Sequence, residues 1–195
     1  MVLARAPAPG RVKTRLVPLL GERGATRLQE RMTAKTLRTG RAAAFASRWL
    51  FASGRLPRPP AGYRLRSQGG GSLGARMHRA FEAVLGSHPA AVLVGTDCPA
   101  LRRSDLRAAA RALARGADAV LAPAEDGGYA LIGLRRPEAS LFRGVDWGGA
   151  RVMAQTRLRL RRLGWRWEEL RTLWDVDRPQ DVARLRRSRL LRGGA

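Results

Sequence analysis

The chain has 195 residues, 38 of them basic and 15 acidic, which gives a formal net charge of +23. Hydrophobic residues make up 45% of it, too large a share for a disordered chain, and no apolar run approaches the roughly 20 residues of a membrane span. We therefore expect one domain over residues 1–195, in the cytoplasm and without a signal peptide. The single cysteine, Cys98, excludes an internal disulfide and is interpreted as a small buried residue rather than a nucleophile.

The excess of arginine allows two interpretations. A strongly basic protein can bind nucleic acid or another anionic surface. Here the arginines are spread along every predicted helix instead of being gathered in one patch with interleaved aromatic residues, which favours solvated helix faces. We therefore expect nucleic acid not to be a specific partner, and an Arg-rich nucleic-acid-binding protein is the last of three functional hypotheses.

In the first half of the chain, short apolar runs alternate with amphipathic stretches. The repeated spacing of Leu73, Met77, Phe81 and Val84 predicts a helix with one buried face. The predicted strands cover residues 2–6, 49–53 and 90–96, the predicted helices cover 27–45 and 72–86, and an irregular loop is predicted at 56–62.

The second half continues the same alternation. Ser104 is predicted to cap a helix that Gly116 ends. Strands are predicted at 118–123, 129–134 and 165–170, and helices at 151–164 and, from Pro179, at 179–187. Apolar strands that alternate with helices predict a single-domain α/β fold, with a mostly parallel sheet and helices on both faces. In such sheets ligands bind beyond the carboxyl ends of the strands.

Acidic residues stand at several of these strand ends. Asp97 follows the apolar run "AVLV", Glu125 and Asp126 lie between two strands in "AEDGG", and "WDVDRPQD" contains Asp175 and Asp177. Carboxylates are the ligands that Mg²⁺ and Mn²⁺ prefer, and the glycines of "AEDGG" would let the backbone approach a ligand whose hydroxyls the two acids bind. Each acid also has a purely structural explanation, in a turn, a hairpin or a helix cap.

A basic loop follows the first strand. The segment "APAPGRVKTRL" combines two prolines and Gly10 with the cations Arg11, Lys13 and Arg15. Cationic loops at this position hold phosphates in many α/β proteins, although the glycine spacing is not that of a Walker loop. We predict a nucleotide-binding role for these four residues, with a basic solvated loop as the alternative.

Six segments occur in an order that resembles a known family. They are "ARAPAPGRVKTRL", "LGARM", "GTDCPAL", "PAEDGGYALIGL", "VDWGG" and "DVDRPQD", which together run from residue 4 to residue 181. The sequence resembles the bacterial GT-A-type glycosyltransferases of the arsenosugar-biosynthesis type, within the nucleotide-diphospho-sugar transferase superfamily. The first strand of that family usually begins several residues earlier, so we expect the first strand here to be clipped at its N-terminus.

The resemblance implies a nucleotide-diphospho-sugar transferase fold and a divalent metal, Mg²⁺ or Mn²⁺. By it, Lys13 and Arg15 would contact the nucleotide or its diphosphate, and Asp97 and Asp177 would bind the metal. Asp175 is the alternative second ligand, because alternation along an extended segment would point both acids of "DVD" to the same side.

The same resemblance assigns Glu125 and Asp126 to the sugar or the acceptor, and we predict them as the catalytic residues. It favours a metal-dependent glycosyltransferase that takes a nucleotide sugar and a small acceptor. A nucleotidyltransferase that joins an NTP to a small phosphorylated acceptor is the alternative on the same fold.

Overall fold

The computed structural model describes residues 1–54, 59–188 and 190–191 of the chain. Short buried strands alternate with amphipathic helices along it, as the apolar runs predict. The strands are β1 (Val2–Arg5), β2 (Trp49–Ser53), β3 (Arg64–Ser67), β4 (Ala91–Val94), β5 (Ala119–Pro123), β6 (Tyr129–Leu134) and β7 (Trp167–Glu169). The helices are α1 (Val17–Ala42), α2 (Leu73–Leu85), α3 (Arg103–Ala114), α4 (Val152–Arg162) and α5 (Pro179–Ser188), and 3-10 turns occupy Thr14–Leu16 and Ala139–Leu141.

The strands form one sheet in the order β3-β2-β1-β4-β6-β5-β7. Neighbouring strands are parallel except for the two pairs made by β6, which runs antiparallel to β4 and to β5. This confirms the predicted mostly parallel sheet. Because β6 is reversed, its first residue, Tyr129, lies at the edge of the sheet where β1, β4 and β5 end.

Helices cover both faces of the sheet, as predicted. One face packs against α1 and α3, and the other packs against α2 and α4. Along β6 the side chains alternate, so that Leu131 belongs to the first core and Ile132 to the second. A third apolar cluster joins α1 to α5 and includes Val176, which is fully buried just before α5. The two central cores fix the strands, and the third fixes the acidic segment that precedes α5.

Two helix predictions are wrong in detail. Ser104 does not cap α3, which begins at Arg103; the carboxylate of Asp105 instead accepts a hydrogen bond from the Arg102 amide at 2.8 Å. Leu73 is the first residue of α2 and is 44% exposed, whereas the rest of the predicted apolar face is buried. Helix α3 therefore begins before its predicted cap, whereas α2 begins close to its predicted start and leaves the first side chain of the predicted apolar face largely in solvent.

The apolar pattern did not predict strand β3 or the first part of helix α1. Strand β3 carries exposed arginines instead of an apolar run, which is typical of a protected sheet edge. Helix α1 begins at Val17, well before the predicted residue 27, and is interrupted at Gly21, where φ is 67°. Of the loop predicted at 56–62, residues 59–62 are irregular, and residues 56–58 lie outside the described residues. Within the described part of the chain, no helix combines the length and apolar character that crossing a membrane requires.

Candidate active site

A cavity of about 670 Å³ opens at the edge of the sheet where β1, β4 and β5 end. Its centre contains Asp97, Asp175 and Asp177 together with the loop after β1. We call its two sides the basic end and the hairpin end. The basic end consists of Arg5, Lys13, Arg15, Ser53, Gln68 and Arg76, and the hairpin end consists of Ala124, Asp126, Gly128, Tyr129, Trp147, Gly148, Gly149 and Val152.

The cations of the loop after β1 are held by carboxylates. Lys13 adopts a left-handed backbone conformation, with φ 49° and ψ 42°, just before the 3-10 turn. Its Nζ lies 3.0 Å from the Oδ1 atom of Asp97, and the side chains of Lys13 and Asp97 are 4% and 53% exposed. Arg15 forms an ion pair with Asp177. The loop therefore brings two predicted phosphate-binding cations directly to the two predicted metal ligands.

The other two predicted nucleotide-binding residues lie differently. Gly10 occupies a turn with φ 71°, and Arg11 is exposed, with its carbonyl accepting a hydrogen bond from Arg5 at 3.1 Å. Neither residue lines the cavity. Their position assigns them to the shape of the loop, and only Lys13 and Arg15 of the predicted set reach the site.

The acidic segment before α5 is attached to the end of β4 by its backbone. The Val176 amide donates a hydrogen bond to the Asp97 carbonyl at 2.9 Å. Since Val176 points into the third apolar cluster, Asp175 and Asp177 project to the opposite side, and both line the cavity. The alternation predicted for "DVD" is thus present.

The carboxyl group of Asp175 has an unusual environment. Its pKa is raised from 3.8 to about 6, chiefly by burial and in addition by the charges of Asp126 and Asp97, while the Lys13 charge acts in the opposite direction. Carboxylates from three separate segments are therefore close enough for their charges to act on one another, next to one ammonium group. A divalent cation would remove the repulsion between them, and their oxygen atoms are the donors that Mg²⁺ and Mn²⁺ prefer.

The residues fit such an ion only in part. Among the described residues, no group of three or more His, Cys, Asp or Glu side chains is placed to hold a metal ion. Two carboxylates suffice for Mg²⁺ when waters and substrate phosphates complete its coordination. The donor set therefore suits an ion that arrives with a phosphorylated substrate.

The side chains of the two predicted catalytic acids, Glu125 and Asp126, point in different directions. Asp126 lines the cavity, and its Oδ1 atom accepts a hydrogen bond from the Gly128 amide at 2.9 Å, which fixes the hairpin between β5 and β6. Glu125 points the other way and pairs with Arg184 of α5 at 2.6 and 3.0 Å, and hydrogen bonding to Arg184 holds its pKa below the usual value. This placement goes against the expectation that Glu125 faces the acceptor, because an ion pair outside the cavity occupies its carboxylate.

A buried amide at the basic end was not predicted from the sequence. Gln68 is 5% exposed, and its Nε2 atom donates to the carbonyls of Ala4 and Phe51 at 2.8 and 2.9 Å. Both amide hydrogens are thereby used, so the side-chain oxygen remains the group available to a ligand. A lone glutamine after an arginine-rich strand gives no sequence signal for this role.

Trp147 and Tyr129 were also not predicted from the sequence as residues of the site. Their rings meet edge to face at the hairpin end, with centroids 6.3 Å apart and an interplanar angle of 88°. The hydroxyl of Tyr129 is buried and has no hydrogen-bond partner among the described residues. The motif "VDWGG" was the available signal, since a tryptophan between a turn and two glycines is well placed to meet a ligand.

Cys98 lies beside the site without the properties of a nucleophile. It is buried, and burial raises the pKa of its thiol to about 11. A thiol with this pKa is almost entirely protonated near neutral pH and reacts slowly, in agreement with the interpretation from sequence.

Comparison with known proteins places this site in a wider context. A protein from Desulfovibrio desulfuricans G20, described as a "putative nucleotide-diphospho-sugar transferase", is 30% identical, with a TM-score of 0.87 over 96% of this chain and 85% of that chain. CMP:2-keto-3-deoxy-manno-octonic acid synthetase complexed with CTP is 13% identical, with a TM-score of 0.58, and the match covers 96% of this chain and 97% of that one.

Glucosyl-3-phosphoglycerate synthase from Mycobacterium tuberculosis, in complex with Mn²⁺, UDP and glucosyl-3-phosphoglycerate, is 12% identical, with a TM-score of 0.57 over 97% of this chain and 76% of that chain. At these lower identities the likeness concerns the fold. A search of curated proteins gave no significant match. The DUF2064 family, described as "Uncharacterized protein conserved in bacteria", matches residues 25–149. The chain belongs to this family.

Proposed function

We propose that the protein is a metal-dependent glycosyltransferase, which takes a sugar from a nucleoside diphosphate sugar and passes it to a small acceptor. One observation carries the proposal: buried Lys13 is paired with Asp97 beside the half-buried Asp175. A cation suited to phosphate thus lies within ion-pair distance of a carboxylate suited to a metal ion, at the carboxyl edge of the sheet, where α/β proteins bind nucleotides. The narrower assignment to the arsenosugar-biosynthesis type rests on the sequence motifs alone.

Lys13 and Arg15 would bind the diphosphate. Each now neutralises a carboxylate, so a phosphate group can compete for the cation while a divalent ion takes over the carboxylate. When bound, that ion would supply Lewis-acid neutralisation of the leaving diphosphate. We assign it to Asp97 and to Asp175, because the carboxyl group of Asp175 is half-buried and experiences the charges of Asp126 and Asp97, which a divalent ion would offset. Asp177 is the second ligand that the family resemblance favoured.

Gln68 would contact the nucleobase. It lies at the basic end, beyond Lys13, and its orientation is set by the two carbonyl groups that accept from Nε2. Its oxygen atom can then only accept a hydrogen bond, from an N–H or O–H group of a ligand. Rigid placement of an acceptor discriminates well between bases, because a mismatched ligand leaves a buried polar group unpaired.

Asp126 would act on the acceptor. It lies across the cavity from Gln68, and its hydrogen bond to Gly128 leaves the Oδ2 atom for a substrate hydroxyl. A carboxylate at this position can accept the proton of the attacking hydroxyl as the new glycosidic bond forms. Glu125 takes no part in this scheme.

Nucleotidyl transfer to a phosphorylated acceptor is the competing function on this fold. It would require cations around the acceptor as well as around the nucleotide. Among the described residues of the hairpin end, Asp126 is the only one with a charge. That arrangement favours an uncharged second substrate, and therefore glycosyl transfer.

A turnover assay separates the two functions. The protein is incubated with Mn²⁺ and either a panel of nucleotide sugars or a panel of NTPs with sugar phosphates, and the released product is identified by mass spectrometry. We expect slow release of nucleoside diphosphate from one nucleotide sugar, through transfer to water or to an added acceptor, and its loss in Asp97→Asn. Pyrophosphate release from an NTP would instead support nucleotidyl transfer, and an Asp97→Asn variant with full activity would contradict both.

A further inference from the structure

Trp147 is held rigidly at the hairpin end. It packs on Gly74 of α2, where an added Cβ would lie 2.7 Å from the indole Nε1 atom. Tyr129 meets the indole in an edge-to-face arrangement. The remaining surface of the indole lines the cavity, and the ring itself is half-buried. Two contacts thus restrain an aromatic ring that lines the cavity.

The side chains that line the cavity around Trp147 are mostly uncharged. Arg76, the nearest cation along the chain to Gly74, turns its Nε atom to the Gly71 carbonyl at 3.0 Å. The floor of the cavity contributes apolar side chains from α2, β4 and β6, namely Met77, Leu93 and Ile132. One carboxylate, that of Asp126, stands at the same end. A flat apolar surface beside a single hydrogen-bond acceptor suits a neutral ligand that has one apolar face and several hydroxyl groups.

We propose that Trp147, supported by Tyr129, forms a subsite for a sugar ring. The C–H face of a pyranose would pack on the indole, and Asp126 would accept a hydrogen bond from one of its hydroxyls. This inference rests on the proposed function and adds the chemical class of ligand at the hairpin end. The ring can belong to the nucleotide sugar or to the acceptor, since both present the same chemistry, and the test below separates these sources.

The test measures how binding of sugars depends on Trp147. Wild type, Trp147→Ala and Trp147→Phe are titrated calorimetrically with UDP, UDP-glucose, GDP and GDP-mannose in the presence of Mn²⁺. Binding of methyl β-glucopyranoside is followed by saturation-transfer NMR, with and without UDP and Mn²⁺. Trp167→Ala is the matched control, because Trp167 lies on β7 and does not line the cavity. Thermal unfolding of each variant establishes that it is folded.

If the sugar of the donor occupies the subsite, Trp147→Ala should lose about fivefold in affinity for one nucleotide sugar, with its nucleoside diphosphate unaffected and Trp147→Phe largely restoring the loss. If the acceptor sugar occupies it, the saturation-transfer signal of the glucoside should disappear in Trp147→Ala. Equal affinities and an unchanged signal in both variants would overturn the subsite. Failure of every nucleotide to bind would overturn the proposed function, and the glucoside signal measured without nucleotide would still decide the subsite.

Discussion

Replacing Asp175 with asparagine should stabilise the metal-free protein above pH 6. The pKa of this carboxyl is raised from 3.8 to about 6 in the fold, mainly by burial and then by the Asp126 charge. The folded protein therefore holds the proton more tightly than the unfolded chain, and its stability falls as the pH rises between these two values. Above pH 6 the full penalty is present in the wild type, and a neutral side chain removes it.

The size of this effect follows from the shift in pKa. One pKa unit corresponds to about 1.4 kcal/mol. If the group were fully buried, this shift would therefore lower the free energy of unfolding by about 3 kcal/mol above pH 6. Asp175 is only half-buried, and solvent screening reduces the expected value to about 1 kcal/mol. In a chain of this length that is about 3 °C in melting temperature.

The assay is thermal unfolding in EDTA at a series of pH values. Asp175→Asn should melt above the wild type at pH 8, and the difference should vanish near pH 4. With Mn²⁺ and UDP added, the wild type should instead melt above Asp175→Asn, because only the wild type retains the proposed metal ligand and is stabilised by the bound ion. A variant that is less stable than the wild type at pH 8, or a difference that is the same at every pH, would refute the reasoning.

Four further predictions concern single residues. Lys13→Ala should weaken nucleoside diphosphate binding about tenfold by calorimetry, whereas the helix-surface control Arg111→Ala should not, and equal losses would indicate an effect of bulk charge. Asp126→Asn should lower turnover about 100-fold with nucleotide affinity nearly unchanged; a large loss of affinity would place Asp126 in the donor site. Gln68→Leu should lower the melting temperature by about 5 °C, since two carbonyl groups lose a donor worth about 2 kcal/mol in total, and an unchanged melting temperature would contradict those bonds. Cys98 should resist alkylation by iodoacetamide at pH 8 in the native protein, and rapid labelling would contradict its burial and the high pKa of its thiol.

The parts of the site that depend on local pattern were predictable. Asp97 lies at the end of an apolar run, and the strand that this run predicts places it at the carboxyl edge of the sheet. Asp175 and Asp177 flank Val176, and simple alternation in an extended segment puts both acids on one side once Val176 is buried. The hairpin between β5 and β6 likewise follows from Asp-Gly-Gly between two apolar runs.

The parts that depend on distant partners were not predictable. Glu125 and Asp126 are adjacent and chemically alike, and only the docking of α5, which brings Arg184 to Glu125, turns one of them away from the cavity. Gln68 owes its orientation to carbonyl groups on two strands that precede it in the chain. In each case the deciding contact spans many residues, and neither periodicity nor spacing contains it.

Calorimetric titration of Mn²⁺ into the protein, with and without UDP or GDP, tests the central claim most directly. Since two carboxylates alone form an incomplete site, we predict weak binding of Mn²⁺ to the free protein and much tighter binding when one of the nucleoside diphosphates is present. Asp97→Ala should abolish the tighter binding. Metal affinity that neither the nucleotide nor Asp97 influences would contradict a shared site for metal and diphosphate.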